Sequence, residues 1–442
     1  MTSPIATEQP GFSAATVAEL ARLRDEPAWL RERRQSAWRI YEALPLPDRR
    51  EEEWRRVDIR ALDLAAQRAF SKEGRQAAPL LELSQDGLPR AGTLLQHNST
   101  SVGASLAPEL AAKGVILCSL EEAARRYPEL VQEHLGEAIK PQEAKFTALA
   151  SALWSGGAFV YVPKDVEVAL PLHGYAYLDE PGLASFWRTI IVADRGSKVF
   201  YGDHWRSPAL GGQGLSAGLA EVYVKDGAQV TYVTIQDWGR QTFHFATHRA
   251  VLERDARFSS LTVGLGGILS KANVEAVQRG PGSHAELLGL CYADGRQFFD
   301  HHTLQDHGAS HTTSQLLFKT ALEGRSRSLF YGLIRVREGA QQTDSFQTSR
   351  NLLLSERAKA DAIPVLEIEA NDVKCSHAAA VGPVDEDQLF YLMSRGLPEA
   401  DARRMIVGGF FAELIDKLPS EELREKLGRA VEAKMQAAAA RV

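Results

Sequence analysis

Gly227-Ala228-Gln229-Val230 is the phrase on which the fold turns: a turn residue, a small residue and a polar residue, followed by a strand-forming run. It recurs as Gly196-Ser197-Lys198-Val199, Asp255-Ala256-Arg257-Phe258, Gly282-Ser283-His284-Ala285, Gly308-Ala309-Ser310-His311, Arg325-Ser326-Arg327-Ser328, Gly339-Ala340-Gln341-Gln342 and Arg357-Ala358-Lys359-Ala360. A last copy reads Cys375-Ser376-His377-Ala378. The separations fall near about 27 residues or near half of that, as expected if each coil of a solenoid carries one or two such corners. Corners stacked in register need small residues.

Outward from this run, Ala158–Pro163 and Val166–Leu170 read as strands around a Lys164-Asp165 turn, and no convincing helix interrupts before Ile368. Repeated short strands without helices leave a sandwich, a propeller or a solenoid. No WD-type blade signature occurs, and the recurrent small corner favours a parallel β-helix. Such a stack exposes a sheet edge at each end, which must be capped or paired with a partner. Residues 151–384 are therefore expected to form the β-helix core. A mainly helical N-terminal domain, residues 1–150, would cap one end, and the strand of Cys375 and His377 would form the other.

In the N-terminal part, Val17, Leu20 and Leu23 and then Trp29, Leu30, Ala37, Trp38 and Tyr41 fall at helical spacing, until Leu44-Pro45-Leu46-Pro47 breaks the run. Ser71–Ala107 is polar with scattered Gly and Pro and reads as a loop-rich connection. Ser119 is an N-cap ahead of Leu120-Glu121-Glu122. Helical patterning returns at Asp385 and stops at Gly396. Beyond Pro398, Ile406, Phe410 and Leu414 lie four apart, as do Val407, Phe411 and Ile415. Residues 385–442 form too few helices for a core of their own, so this stripe must face the solenoid or another protein.

The chain has 442 residues, 44% of them hydrophobic, and a net charge of −6. That is enough to bury a large core, and it gives no basic footprint for nucleic acid. Met1–Phe12 lacks a basic segment followed by an apolar run, and no apolar stretch is long enough to span a bilayer, so a protein neither secreted nor membrane-spanning is expected. Cys118, Cys291 and Cys375 are few, odd in number and far apart, which points away from a disulfide framework and toward a reducing cytoplasm.

Chemistry concentrates in Ile368-Glu369-Ala370-Asn371-Asp372-Val373-Lys374-Cys375-Ser376-His377. In an extended segment Cys375 and His377 project together and Ser376 points away. A soft sulfur beside an imidazole suits iron, zinc, copper or an iron–sulfur centre. Two ligands do not close such a site, and taken alone the pair reads first as a small buried Cys beside a satisfied His. Asp300-His301-His302, Asp306-His307 and His311 form the densest titratable cluster, but without a recognised metal-ligand spacing they read as stacked or solvated solenoid side chains. Cys118 and Cys291 sit in apolar strands as small hydrophobes. Gly264-Leu265-Gly266-Gly267 lacks the Lys and Ser/Thr of a phosphate loop and reads as a strand turn, and no Walker A sequence occurs.

The segment PVLEIEANDVKCSHAAAVGPVDEDQLFYLMSRGL, with EEEWRRVDI, GAFVYVPKDVEVALPL and SLFYGLIRVREGAQQTDSFQTSRNLLLS upstream, resembles the SufB/SufD family of iron–sulfur cluster assembly proteins from about Trp29 to Phe411. The KCSH phrase resembles the SufD form rather than the SufB form, although Ala378 stands where that form commonly has glycine. The resemblance implies a right-handed parallel β-helix flanked by helices in a non-catalytic scaffold. It implies pairing with SufB through the solenoid ends, and C-terminal helices that dock the ATPase SufC, with Ile406, Phe410, Phe411 and Leu414 as contact residues. It also implies a transient cluster shared with SufB, bound by Cys375 and His377, and no nucleotide on this chain. Other readings left open are a SufB-type paralogue, a homodimer of the isolated chain, and a polysaccharide-acting β-helix enzyme, which would normally need export and acidic groups along the solenoid flank.

Overall fold

The computed structural model describes residues 11–71, 78–85, 87–418 and 420–439. The expectations for residues 1–10 and for the end of the Ala-rich tail, 440–442, lie outside them. The chain winds as a parallel β-solenoid of about eight turns, laying strands alternately into two 10-stranded sheets. One sheet runs Thr100–Leu106, Gly92–His97, Leu172–Tyr177, Lys198–Arg206, Gln229–Asp237, Arg257–Gly264, His284–Ala293, Thr313–Leu322, Thr343–Leu353 and Val373–Pro383. The other runs from Ile116–Ser119 through Ala158–Val162 and Arg188–Ala193 up to Phe298–His307, Arg327–Val336 and Lys359–Ile368.

The corner phrase does what its small residues require. Ser197, Ala228, Ala256, Ser283, Ser326 and Ala340 are all buried where successive coils stack. Gly227 supplies the left-handed backbone of its corner at φ +64°, and Asp255 adopts φ +53° one coil on. Two copies depart from the pattern. In the Gly308–His311 corner the buried small residue is Thr312, three places beyond Ala309. The Cys375–Ala378 copy lies inside the last strand, and Ser376 is exposed on its outward face, as is its in-register neighbour Phe346.

Ser71–Ala107, expected to be loop-rich, instead holds the helix Ala78–Ser84 and an antiparallel pair, Gly92–His97 with Thr100–Leu106. Gln96 and His97 at the end of the first strand are buried and hydrogen-bonded, which hides that strand in a hydropathy reading. Gln96 Nε2 donates to Asn98 O at 2.9 Å and Gln96 Oε1 accepts from Gly157 N at 3.0 Å, while His97 Nε2 lies 2.9 Å from Asp179. The helices Ala14–Leu23, Ala28–Ala43 and Lys145–Leu153 gather Trp38, Trp54, Phe146 and Trp154 against Leu219 and Phe245 on the outer face of the second sheet. Phe146 and Phe245 stack at 3.8 Å. Ser119 caps its helix as expected, accepting from Glu122 N.

The C-terminal helices are Glu386–Ser394, Glu399–Ile415 and Glu421–Ala439. Asp385 caps the first, accepting from Asp387 N and Gln388 N. The other two lie on the outer face of the first sheet, where Val407, Phe411, Leu414, Leu423 and Leu427 pack on Leu261, Val263, Leu288 and Leu290. Of the two destinations open to the apolar stripe, the solenoid takes Phe411 and Leu414 completely. No helix among the described residues is long and apolar enough to cross a membrane.

Candidate functional site

Val373–Pro383 bonds in register to Thr343–Leu353 on one side and, among the described residues, to no strand on the other. Cys375 pairs with Ser345 and His377 with Gln347. Ser345 and Gln347 are buried inside the solenoid, so Cys375 and His377 continue the inward-facing row at its last coil. With no coil beyond them, Cys375 is half-buried and His377 exposed. The pair thus stands on one face, at an open end, as strand periodicity demands.

Cys375 leans on Ile334, Val336, Ala340 and Ala370. Burial raises its thiol pKa above the ordinary value, and the nearby Asp344 carboxylate adds to the shift. The thiol is therefore protonated at neutral pH in the isolated chain, and a bound cation would favour the thiolate. Beneath it the floor is polar. Ser345 Oγ lies 2.7 Å from Ser314 Oγ, which lies 2.8 Å from His307 Nε2, while His307 Nδ1 lies 2.7 Å from Thr312 Oγ1. Burial pushes His307 down to about 4, so it is neutral.

The other histidines of the sequence cluster go to separate places. His301 points inward, its Nε2 3.7 Å from Cys291 Sγ. Burial drives His301 down to about 4 and Cys291 up to about 12, which makes them a neutral buried contact rather than a thiolate–imidazolium pair. His302 faces outward, 3.1 Å from Asp300, which Lys271 also meets at 2.8 Å. Burial would raise Asp300, but these two partners outweigh it and hold the carboxyl below its ordinary value. His311 is an exposed turn residue at φ +58°. Cys118 is buried, and burial pushes it up to about 12. Among the described residues no three His, Cys, Asp or Glu side chains are arranged to hold a metal ion.

The C-terminal stripe is not brought to this site. Ile406 and Phe410 stay half-exposed, and Lys319 Nζ donates to Phe410 O at 2.8 Å while pairing with Glu413 at 2.6 Å. The apolar side chains these helices leave exposed are Phe390, Tyr391, Met393 and Met405. Sequence reading also missed the residues one coil below the pair, Ser345 and Gln347. The coil period was the available signal for them.

Two family profiles cover most of the chain. One, described as "SUF system FeS cluster assembly, SufBD core domain", matches residues 176–410, and one described as "SufBD protein N-terminal region" matches residues 20–173. An iron–sulfur cluster assembly SufBD family protein of Staphylococcus epidermidis is 29% identical over 93% of this chain and 90% of its own length. The iron–sulfur cluster assembly protein SufB of Bacillus subtilis is 28% identical over the same shares. The core match alone spans more than half of the sequence, and the chain belongs to the SufBD family of the SUF system for iron–sulfur cluster assembly.

Proposed function

We propose that this chain is a non-catalytic scaffold subunit on whose open solenoid end a transient iron–sulfur cluster is built, with Cys375 and His377 as two of its ligands. The single observation that carries this reading is the position of the pair: two donors of the right softness on one face of an edge strand whose outer side is unpaired among the described residues. A cluster needs about four ligands, so the rest come from a second chain whose edge adds to Val373–Pro383. The KCSH phrase supports a SufD-type subunit with SufB as that second chain, in the cytoplasm. A SufB-type role, as the name of the Bacillus subtilis relative would suggest, is the other assignment.

The C-terminal helices are the docking region for a SufC-type ATPase. Of the residues named from the sequence, Ile406 and Phe410 keep a surface for it. Phe411 and Leu414 serve indirectly, by seating the helix on the solenoid.

Anaerobic reconstitution with SufB and SufC, read by visible absorbance and Mössbauer spectra, tests the site. His377→Ala is expected to abolish or sharply slow cluster build-up without dissociating the complex, and Cys375→Ala to do equal or less damage. A stoichiometric cluster on the isolated chain, unaffected by His377→Ala, would overturn the shared site.

A further inference from the structure

The two columns beneath the candidate pair differ. Under Cys375 the hydroxyl of Ser345 has its partner in Ser314. Under His377 lies Gln347, 1% exposed, and its amide is only half satisfied: Nε2 donates to Gly332 O at 3.1 Å, whereas Oε1 has no partner. The amide head fits only because residue 332 is glycine, where a Cβ would lie 2.2 Å from Oε1. A buried polar group left unpaired costs about 1–3 kcal/mol. Among the described residues no buried side-chain atom after Gln305 in the chain shares this condition. The column also changes character here, running from Leu287 and Leu316 to Gln347 directly under the exposed imidazole.

We propose that Gln347 is a positioning residue for His377: its amide oxygen accepts the N–H of one imidazole nitrogen and so leaves the other nitrogen's lone pair facing out of the solenoid end, toward the metal. The inference rests on the reading of His377 as a cluster ligand. A ligating imidazole binds through one nitrogen while the other N–H is held by an acceptor that fixes tautomer and ring orientation. In-register side chains on neighbouring strands share a face at about 4.8 Å, which brings Gln347 within reach of a His377 ring turned inward. A neutral amide fixes the tautomer without adding a carboxylate's charge to the site.

The test is NMR of the full chain carrying isotope-labelled histidine, at a pH well above the ordinary imidazole pKa, with the His377 signals assigned by their loss in His377→Ala. One tautomer is expected to dominate at His377. Gln347→Leu should shift the tautomer ratio by about twofold to tenfold, the worth of one hydrogen bond. Gln347→Glu, which keeps an acceptor oxygen, should retain the preference. If the leucine variant does not fold, Gln347→Met, of similar length without the acceptor, is read in its place. An unchanged ratio in a folded leucine or methionine variant overturns the proposal, because an amide that only packs, or only holds a water, would not move it. Normal cluster build-up on His377→Ala would instead sink the ligand reading and leave the tautomer result standing.

Discussion

The two ends of the solenoid are finished in opposite ways. At the first end each sheet closes with an antiparallel strand, Thr100–Leu106 on Gly92–His97 and Ile116–Ser119 on Ala158–Val162, and Leu117, Cys118 and Ser119 of the latter are buried. At the second end Lys359–Ile368 and Val373–Pro383 simply stop, and neither strand contains one buried residue, although a middle strand such as Gly214–Val224 is buried throughout. The first end is closed by antiparallel strands of this chain, Ile116–Ser119 largely buried and Thr100–Leu106 still partly open to solvent. The second has core-like strands and no cover.

The two open strands are not equivalent either. Lys359–Ile368 carries Lys359, Asp361 and Glu367 together with Pro364, which has no N–H to offer, and charge and proline are the usual means of blunting an edge. The other strand, Val373–Pro383, has a single charge, Lys374, and its proline is its last residue; from Cys375 to Gly382 it bears no Asp, Glu, Lys, Arg or Pro. Of the two, the strand holding the candidate ligands is the one left receptive to a partner.

Removing core from each end should expose this asymmetry most strongly. Phe159→Ala, at the closed end and fully buried, is expected to cost about 3–5 kcal/mol in urea unfolding. Ile368→Ala, 41% exposed at the open end, should cost well under that, about 1 kcal/mol or less. Equal losses would mean that the open end is already covered within the isolated chain.

Between the ends, acid should act on the interior. Burial lowers His244 to about 3 and His248, His301 and His307 to about 4. Their folded pKa values lie below the unfolded value near 6.5, so the unfolded chain takes protons first and stability falls as pH drops from about 6.5 toward about 4. Asp203 opposes this. Burial raises it to about 6 despite the hydroxyls of Thr189, Tyr201 and Tyr232, so its share of stability grows over much of the same descent. Four histidines outweigh one carboxylate. In His301→Gln the slope of stability against pH in that window should flatten by about 1.4 kcal/mol per unit, read from urea midpoints; an unaltered slope would show that His301 is protonated or solvated in the folded chain.

A charge placed on the receptive edge should weaken assembly without weakening the fold. Val381→Lys, at a side chain 44% exposed, is expected to lower affinity for a SufB-type partner about tenfold to a hundredfold, or about 1.4–3 kcal/mol, with an unchanged unfolding midpoint. Ser105→Lys on the exposed edge of the closed end should change neither quantity. Weakened binding from Ser105→Lys would move the interface to the other end.

Much of this asymmetry was written in the residues. The small corners at Ala228, Ala256 and Ser283 gave away the coil, because only small side chains survive where corners stack. The period-two spacing of Cys375 and His377 placed both on one face. What stayed hidden had physical causes. The Gly92–His97 strand buries Gln96 and His97 with bonded partners, so no hydropathy pattern marks it. The stripe of Phe411 and Leu414 looks the same whether it meets the solenoid or another protein, since helical spacing says which face is apolar and not what covers it. Gln347 sits far from His377 in sequence and is linked to it only through register.

The smallest expected effect concerns the passage from the open strand into the C-terminal helices. Asp385 stands just past Pro383 and holds the first turn of Glu386–Ser394 by accepting two backbone N–H groups at 2.9 and 3.1 Å. The same helix carries the exposed Phe390, Tyr391 and Met393, and its only buried residue is Leu389. With so little packing, its order depends on the cap to a degree that Glu399–Ile415, seated through Val407, Phe411 and Leu414, does not. Asp385→Ala should therefore cost about 1 kcal/mol, felt locally. Amide exchange should quicken in Glu386–Ser394 and stay unchanged in Glu399–Ile415. If both helices quicken together they are one cooperative unit, and the apolar surface beside the open end is then held as firmly as the solenoid itself.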